Sequence, residues 1–198
     1  MSADAEMMRA FIAVEIDETV RAQTVQLMDN LRKGMRHTGM HPKWVEPENL
    51  HVTMFFLGQT RPAMIERIKD ELTSSITERP AFEAQFQSLG VFPTPKKPSV
   101  LWLGVDHGRR QFKELQADIV RCLISLRWEP DRKPFHPHLT LARIRSHSGA
   151  QAMMDVVFSH RAADCGVCPI TKVVLFKSDL RPDGPVYTPL HTWPLKNA

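Results

Sequence analysis

The chain contains an internal repeat, and this repeat constrains the fold more than any other feature of the sequence. Residues 11–17 (Phe-Ile-Ala-Val-Glu-Ile-Asp) resemble residues 100–106 (Val-Leu-Trp-Leu-Gly-Val-Asp), 89 positions later. His51-Val-Thr53 is matched by His138-Leu-Thr140, 87 positions later. Separations that agree so closely in successive segments indicate that one structural unit occurs twice.

Each repeat follows the same order of predicted elements. A short apolar strand comes first, then a helix with apolar residues three and four apart, then the strand that carries His-x-Thr. Asp17 is predicted to cap the first helix, because its carboxylate can accept a hydrogen bond from the first turn. Trp44 and Trp128, each followed closely by Glu-Pro, extend the match between the repeats.

These elements predict an α+β fold in a single domain, residues 1–198. The repeats, at approximately 8–92 and 99–195, are expected to form two lobes related by a pseudo-two-fold axis. Each lobe should be an antiparallel sheet with helices packed outside, and the two should surround a central cleft. The proline-rich segment 93–98 is predicted to break regular structure between the lobes.

Charge and composition narrow the range of partners. The chain of 198 residues has 26 Lys and Arg against 22 Asp and Glu, a formal net charge of +4. This balance suits a polyanion such as nucleic acid, although many unrelated proteins share it. No apolar run approaches the roughly 20 residues of a membrane span, and no signal peptide is evident. A soluble, cytoplasmic protein with no membrane partner is therefore predicted.

The repeated His-x-Thr element is the strongest candidate for chemistry. Side chains at positions i and i+2 of a strand share one face, so His51 and Thr53 point the same way, as do His138 and Thr140. A two-fold axis between the lobes would turn both faces into one cleft. Two imidazoles and two hydroxyls would then surround a common point.

Such a set suits acid–base hydrolysis of a phosphodiester. One neutral imidazole can take a proton from water while the other, protonated, gives one to the leaving oxygen. The threonine hydroxyls can donate hydrogen bonds to phosphate oxygens. Arg143, three residues after Thr140, adds a possible charge-assisted contact. This chemistry requires neither a metal nor a cofactor.

Two other patterns suggest metal sites less strongly. Cys165-Gly-Val-Cys168 has the spacing of zinc and redox sites, but only His160 and the remote Cys122 could add ligands. Structural or incidental cysteines are the favoured interpretation of this pair. His136-Pro-His138 has no carboxylate cluster nearby, and His136 is expected at the rim of the cleft.

The chain also resembles a known family. It is similar to RNA 2′,3′-cyclic phosphodiesterases of the two-histidine phosphoesterase superfamily, also described as bacterial 2′-5′ RNA ligases. The resemblance covers about residues 8–195, and paired His-x-Thr motifs within these flanking sequences are specific to it. The segments that carry it are 9–15, 47–58, 100–104, 134–143 and 187–190.

The resemblance implies a reaction and a role for each histidine. His51 would be the proton donor and His138 the proton acceptor in opening an RNA 2′,3′-cyclic phosphate to a 2′-phosphomonoester. Thr53, Thr140 and Arg143 would hold the phosphate. By reversal, the same site could weakly join RNA ends through a 2′-5′ bond.

Three questions stay open at the level of sequence. Phe11 lies in a segment that resembles a cleft-lining strand of the family, so it could stack on a base or belong to the core. The substrate could instead be a small cyclic nucleotide or a 2′-5′ oligonucleotide. A non-catalytic nucleotide- or RNA-binding module is the alternative from another class. A monomer is predicted, because the paired lobes complete one cleft.

Overall fold

Both repeats contain the predicted order of a strand, then a helix, then the strand with the His-x-Thr motif. The computed structural model describes residues 6–130, 133–146, 148–182 and 184–197. The strands in these residues are β1 (Met8–Glu15), β2 (Lys43–Trp44), β3 (His51–Thr60), β4 (Phe82–Thr94), β5 (Lys97–Val105), β6 (His138–Arg143), β7 (Asp164–Ile170), β8 (Lys172–Arg181) and β9 (Gly184–Pro194). The helices are α1 (Glu18–Met35), α2 (Pro62–Thr77), α3 (Arg109–Ser125) and α4 (Ala150–Ser159).

The start of α1 is fixed by the predicted cap. The Asp17 carboxylate accepts a hydrogen bond from the backbone N–H of Val20 at 2.8 Å, which satisfies one of the unpaired donors of the first turn. One face of α1 is buried against the sheet through Val20, Thr24, Leu27, Met28, Leu31 and Met35. Their spacing of three, four and seven residues is that of an amphipathic helix.

The strands of both repeats join in one curled antiparallel sheet. Its order is β7-β4-β5-β6-β3-β1-β8-β9, and β2 pairs separately with β6. Outward from the boundary between β6 and β3, the two halves correspond strand by strand. β6 matches β3, β5 matches β1, β4 matches β8, and β7 matches β9. The α+β class and the pseudo-symmetric pair of half-sheets agree with the prediction.

The half-sheets do not coincide with the contiguous lobes 8–92 and 99–195 that the sequence led us to expect. β4, from the first repeat, pairs with β5 of the second, and β8, from the second repeat, pairs with β1 of the first. The pairing of β4 with β5 has a local physical reason. Thr94 pairs with Lys97 in a tight hairpin, and closing so short a loop costs little entropy. The proline-rich segment 93–98 is thus a hairpin turn with its flanking strand ends.

The two repeated tryptophans cross between the halves. Trp44, in β2, pairs with Ala142 of β6, and the backbone N–H of Val45 donates to the carbonyl of Leu141 at 2.9 Å. The indole N–H of Trp128 donates to the carbonyl of Leu57 in β3 at 3.2 Å. Each tryptophan segment therefore contacts the motif strand of the other repeat.

The two faces of the sheet differ in what covers them. The four helices bury their apolar residues in one large core on the first face. The second face, here called the open face, carries a small apolar cluster of Phe11, Ala13, Val174 and Phe176, with Tyr187 packed against it. The sheet that carries these two faces is curled. Among the described residues, no helix is both long and apolar enough to span a membrane.

Candidate active site

The two motif strands lie side by side at the centre of the sheet. β3 and β6 are antiparallel, and Val52 pairs with Leu139. Both of these middle residues are fully buried in the core. Because side chains alternate along a strand, their neighbours project from the open face. The four side chains brought together in this way are His51, Thr53, His138 and Thr140.

Backbone carbonyls fix the orientation of both imidazoles. The Nδ1–H of His51 donates to the carbonyl of Asn49 at 2.7 Å, and the Nδ1–H of His138 donates to the carbonyl of His136 at 2.6 Å. A carbonyl only accepts, so each Nδ1 must carry a proton. In the neutral ring, Nε2 is then the unprotonated atom that can exchange a proton with a ligand.

The two motifs differ in how threonine meets histidine. His51 Nε2 lies 2.9 Å from Thr53 Oγ1, so the hydroxyl donates to the neutral ring and accepts from the protonated one. Among the described residues, no corresponding hydrogen bond joins His138 to Thr140. This asymmetry distinguishes the two histidines, which the sequence repeat cannot do.

The pKa of each motif histidine lies below its usual range. Burial is the main cause for His51, helped by the positive charges of His138 and Arg143, and its pKa falls to about 4. The carbonyl of Asn49 and the carboxylate of Glu15 oppose this shift. Burial is also the main cause of the lowered pKa of His138, and the positive charge of Arg143 adds to it. The hydrogen bond to the carbonyl of His136 opposes this shift. Both rings are therefore neutral at pH 7 in the free protein. A bound anion would raise both pKa values.

A bulge in β6 turns Arg143 toward the same site. Strict alternation would place Arg143 on the face opposite Thr140. However, the neighbouring β5 residues Leu101 and Trp102 pair with Ala142 and Thr140, which are two positions apart in β6. β6 therefore contains one extra residue, a β-bulge, at this point. Arg143 is exposed, and its charge lowers the pKa values of His51 and His138. The part of the chain that is described offers its guanidinium no ion-pair partner.

Aromatic rings surround His51. The Phe11 ring lies 5.0 Å from the His51 ring, and the Tyr187 ring lies 5.4 Å from it. Phe11 is only 3% exposed, and Phe176 stacks on it at 5.3 Å. The structure therefore favours the buried alternative for Phe11, since a covered ring supports His51 and offers no face to a base.

A second aromatic group surrounds His138. The Phe92 ring lies 5.1 Å and the Trp102 ring 6.3 Å from the His138 ring. His136, predicted at the cleft rim, is partly buried here, with its ring 4.8 Å from that of Trp102. Sequence reasoning assigned no role in the site to Tyr187, Phe92 or Trp102. The available signal was that Trp102 and Tyr187 lie in segments 100–104 and 187–190, which carry the family resemblance.

The Cys165 and Cys168 pair lies away from these residues, in β7. Both thiols are buried, and burial raises the pKa of each. Cys168 Sγ accepts the backbone N–H of Asp17 at 3.2 Å. In the described ranges, no group of three or more His, Cys, Asp or Glu is placed to hold a metal ion. These contacts support the interpretation of the pair as structural cysteines.

The sequence match to a known family covers most of these elements. Residues 17–181 match the sequence model of the 2′-5′ RNA ligase superfamily. The chain belongs to this superfamily. A curated superfamily relative, the RNA 2′,3′-cyclic phosphodiesterase of Aeropyrum pernix, is 33% identical over 161 residues, which cover 81% of this chain and 90% of that protein. The RNA 2′,3′-cyclic phosphodiesterase of Archaeoglobus fulgidus is 33% identical over 186 residues, covering 94% and 99%.

Solved structures share the fold. A protein of Thermus thermophilus superposes with a TM-score of 0.74 at 29% identity, covering 96% of this chain and 99% of that one. Escherichia coli LigT in its apo form superposes with a TM-score of 0.73 at 22% identity and the same coverage. Both solved structures therefore have the same overall fold as this chain.

Proposed function

We propose that this protein hydrolyses 2′,3′-cyclic phosphate ends of RNA to 2′-phosphomonoesters, without a metal ion. The observation that carries the proposal is the pairing of Val52 with Leu139, which puts two His-x-Thr motifs on one open face. Membership of the 2′-5′ RNA ligase superfamily and relatives that are RNA 2′,3′-cyclic phosphodiesterases support the substrate class.

In the proposed reaction, the two histidines move protons in opposite directions. His138 Nε2 takes a proton from water as the water oxygen bonds to phosphorus. The bond between phosphorus and O3′ breaks, and protonated His51 gives its Nε2 proton to O3′. The product has a 3′-hydroxyl and a 2′-phosphomonoester. Solvent then returns each histidine to its starting protonation state.

The surrounding residues suit these roles. The cyclic phosphate carries a negative charge, which favours the protonated form of a nearby imidazole and so opposes the burial that lowers the pKa of His51. The hydroxyls of Thr53 and Thr140 can donate to the non-bridging phosphate oxygens. The guanidinium of Arg143 can neutralise charge that develops on them in the transition state.

The same site suits two related reactions, and activity assays on several substrates distinguish them. If an RNA 5′-hydroxyl takes the place of water, the reaction forms a 2′-5′ phosphodiester, so weak joining is the reverse of cleavage at such a bond. A small cyclic nucleotide needs the same proton transfers. We also propose that the monomer is active, since both motif strands belong to one chain.

The test uses a short RNA that ends in a 2′,3′-cyclic phosphate, incubated with purified protein and excess chelator. We expect ring opening with the phosphate left on the 2′ oxygen. Loss of activity with chelator and its return with added metal would contradict the metal-free mechanism. An intact RNA end, with turnover of small cyclic nucleotides, would reassign the substrate. Tight RNA binding without turnover of any substrate would favour the binding module.

A further inference from the structure

The residue two positions before each motif histidine orients the imidazole through its backbone carbonyl. Asn49 has this position relative to His51, and His136 has it relative to His138. Their side chains are held differently. The His136 ring packs against Trp102 at 4.8 Å, whereas the Asn49 side chain makes a hydrogen bond to a strand that is remote in sequence. The two halves of the site therefore fix these carbonyls by different means.

The Asn49 side chain binds the backbone of β9. Its Nδ2 amide donates to the carbonyl of Pro185 at 3.0 Å, although the two residues are 136 positions apart. Pro185 lies near the turn of the β8–β9 hairpin, where it pairs with Leu180. Two residues further along β9, the Tyr187 ring meets the His51 ring edge-on at 5.4 Å. β9 therefore contacts the proposed proton donor directly through Tyr187 and indirectly through Asn49.

The turn before β3 is fixed at its start by backbone contacts and at its end by side chains. Pro47–Asn49 form a single 3₁₀ turn, in which the Leu50 N–H donates to the carbonyl of Pro47 at 3.3 Å. The guanidinium of Arg21, in α1, donates to the same carbonyl. At the other end, the buried Leu50 side chain and the anchored Asn49 side chain flank the peptide that carries the Asn49 carbonyl. Loss of the Asn49 anchor would therefore free that carbonyl to move.

Proton donation by His51 depends on the hydrogen bond that this carbonyl accepts. When Nε2 gives its proton to O3′, the neutral ring that remains carries its proton on Nδ1. The carbonyl of Asn49, 2.7 Å from Nδ1, stabilises that tautomer. It also holds the ring where Nε2 lies 2.9 Å from Thr53 Oγ1. A shift of the carbonyl would misdirect the Nε2 proton, and a small displacement of a reacting group can lower a rate substantially.

We propose that Asn49 is a positioning residue for the proton donor: its amide binds the β9 backbone, and this bond fixes the carbonyl that orients His51. The inference rests on the proposed function and adds to it a residue that acts through His51. Because the bond reaches the β8–β9 hairpin, the orientation of the imidazole depends on the packing of that hairpin as well as on the motif strand.

The first test varies the leaving group, because only a poor leaving group needs the proton of His51. We expect Asn49→Leu, which removes the amide at nearly constant size, to lower kcat on adenosine 2′,3′-cyclic phosphate by about tenfold or more. Hydrolysis of bis(p-nitrophenyl) phosphate should change little, since p-nitrophenolate leaves as a stable anion. Glu48→Leu is the matched control, because Glu48 is exposed in the same turn, and it should leave both rates unchanged. Equal losses on both substrates in Asn49→Leu would overturn the proposal, since they would indicate general damage to the site.

A second measurement requires no turnover. The nitrogen chemical shifts of the His51 ring at pH 7 report which ring nitrogen carries the proton. In Asn49→Leu, the ratio of the Nδ1–H to the Nε2–H tautomer should fall about tenfold, because the hydrogen bond that favours Nδ1–H is weakened. Glu48→Leu should leave this ratio unchanged. An unchanged ratio in Asn49→Leu would overturn the role of Asn49, whereas a wild-type protein without turnover would refute the proposed function and leave the NMR comparison as the test of positioning.

Discussion

Val52 and Leu139 are paired residues of two antiparallel strands, and they are the middle residues of the two His-x-Thr motifs. Because the strands run in opposite directions, the histidine of each motif lies toward the threonine of the other. The two buried side chains hold the strands against the core, while the four polar ones share the open face. This single pair accordingly lies where the local symmetry axis passes through the site.

Removal of either imidazole should abolish most turnover. His51→Ala and His138→Ala are each expected to lower kcat on an RNA 2′,3′-cyclic phosphate by about 10²–10⁴-fold, the usual contribution of a general acid or base. His41→Ala is a control, because His41 is exposed and lies outside the site. Wild-type turnover in either motif variant would refute the acid–base mechanism.

The pH dependence of the rate should differ between kcat/KM and kcat. The profile of kcat/KM reports the free protein, in which burial lowers the pKa values of His51, to about 4, and of His138. Its bell-shaped optimum should therefore lie below about pH 6.5. The profile of kcat reports the complex, where the bound phosphate raises both pKa values, so its optimum should lie at higher pH. Coincident optima would contradict this account.

Loss of the Arg143 charge should raise the pKa values that it now lowers. In Arg143→Gln, the pKa values of His51 and His138 should increase, as followed by NMR titration of the imidazole protons. KM for the cyclic phosphate should rise about tenfold or more, because a charge-assisted contact is lost. Arg145→Gln is the control, since Arg145 is exposed and is not among the charges that lower the pKa of either histidine. Unchanged titrations would show that Arg143 acts elsewhere.

Acid should destabilise the fold through the same histidines. Unfolded histidine has a pKa near 6.5, and the folded values of His51 and His138 are lower, so the unfolded chain binds more protons between these limits. The free energy of unfolding should therefore fall as pH drops from about 7 toward 5, by up to about 1.4 kcal/mol per pH unit for each histidine. Urea unfolding measures this slope.

A matched pair of variants isolates the contribution of His51 to that slope. In His51→Gln, the slope of the unfolding free energy against pH between about pH 7 and 5 should be smaller by up to about 1.4 kcal/mol per pH unit, the contribution of one proton. His41→Gln should leave it unchanged, because that residue is exposed. Equal slopes in all three proteins would mean that His51 is not held neutral by the fold.

Close packing beneath Trp102 should make Gly90 intolerant of a side chain. A Cβ atom at Gly90 would overlap the indole ring of Trp102, far inside van der Waals contact. Gly90→Ala is expected to reduce the free energy of unfolding by about 1–3 kcal/mol, the usual cost of overpacking. In a Trp102→Ala background, Gly90→Ala should lower the free energy of unfolding only slightly. Urea unfolding of the wild type, the two single variants and the double variant tests this. Additive costs would contradict the contact.

The sequence was sufficient to predict the motif site for a geometric reason. Two copies of His-x-Thr at nearly constant separation predict two equivalent strands, and the two-residue period of a strand predicts which side chains share a face. Asp17 was predictable as a helix cap for an equally local reason, and it accepts the expected hydrogen bond. Interactions within a few residues of each other can be inferred from spacing alone.

The bulges in the motif strands could not be predicted in this way. Alternation alone would turn Arg143 away from Thr140 and Phe56 away from Thr53. One extra residue in β6 and one in β3 reverse both directions. A bulge depends on how neighbouring strands pair, so its position is not contained in the apolar pattern of one strand.

By itself, the sequence determined the duplication, the α+β class and the four side chains of the two motifs, because these follow from periodicity and repetition. Only the tertiary structure decided which strands complete each half-sheet, how Phe11 is covered and where Tyr187 lies. These features arise because β4 and β8 exchange between the halves, which brings segments far apart in the chain into contact. Burial and the charge of Arg143, which lower the pKa values of both histidines, result from that assembly.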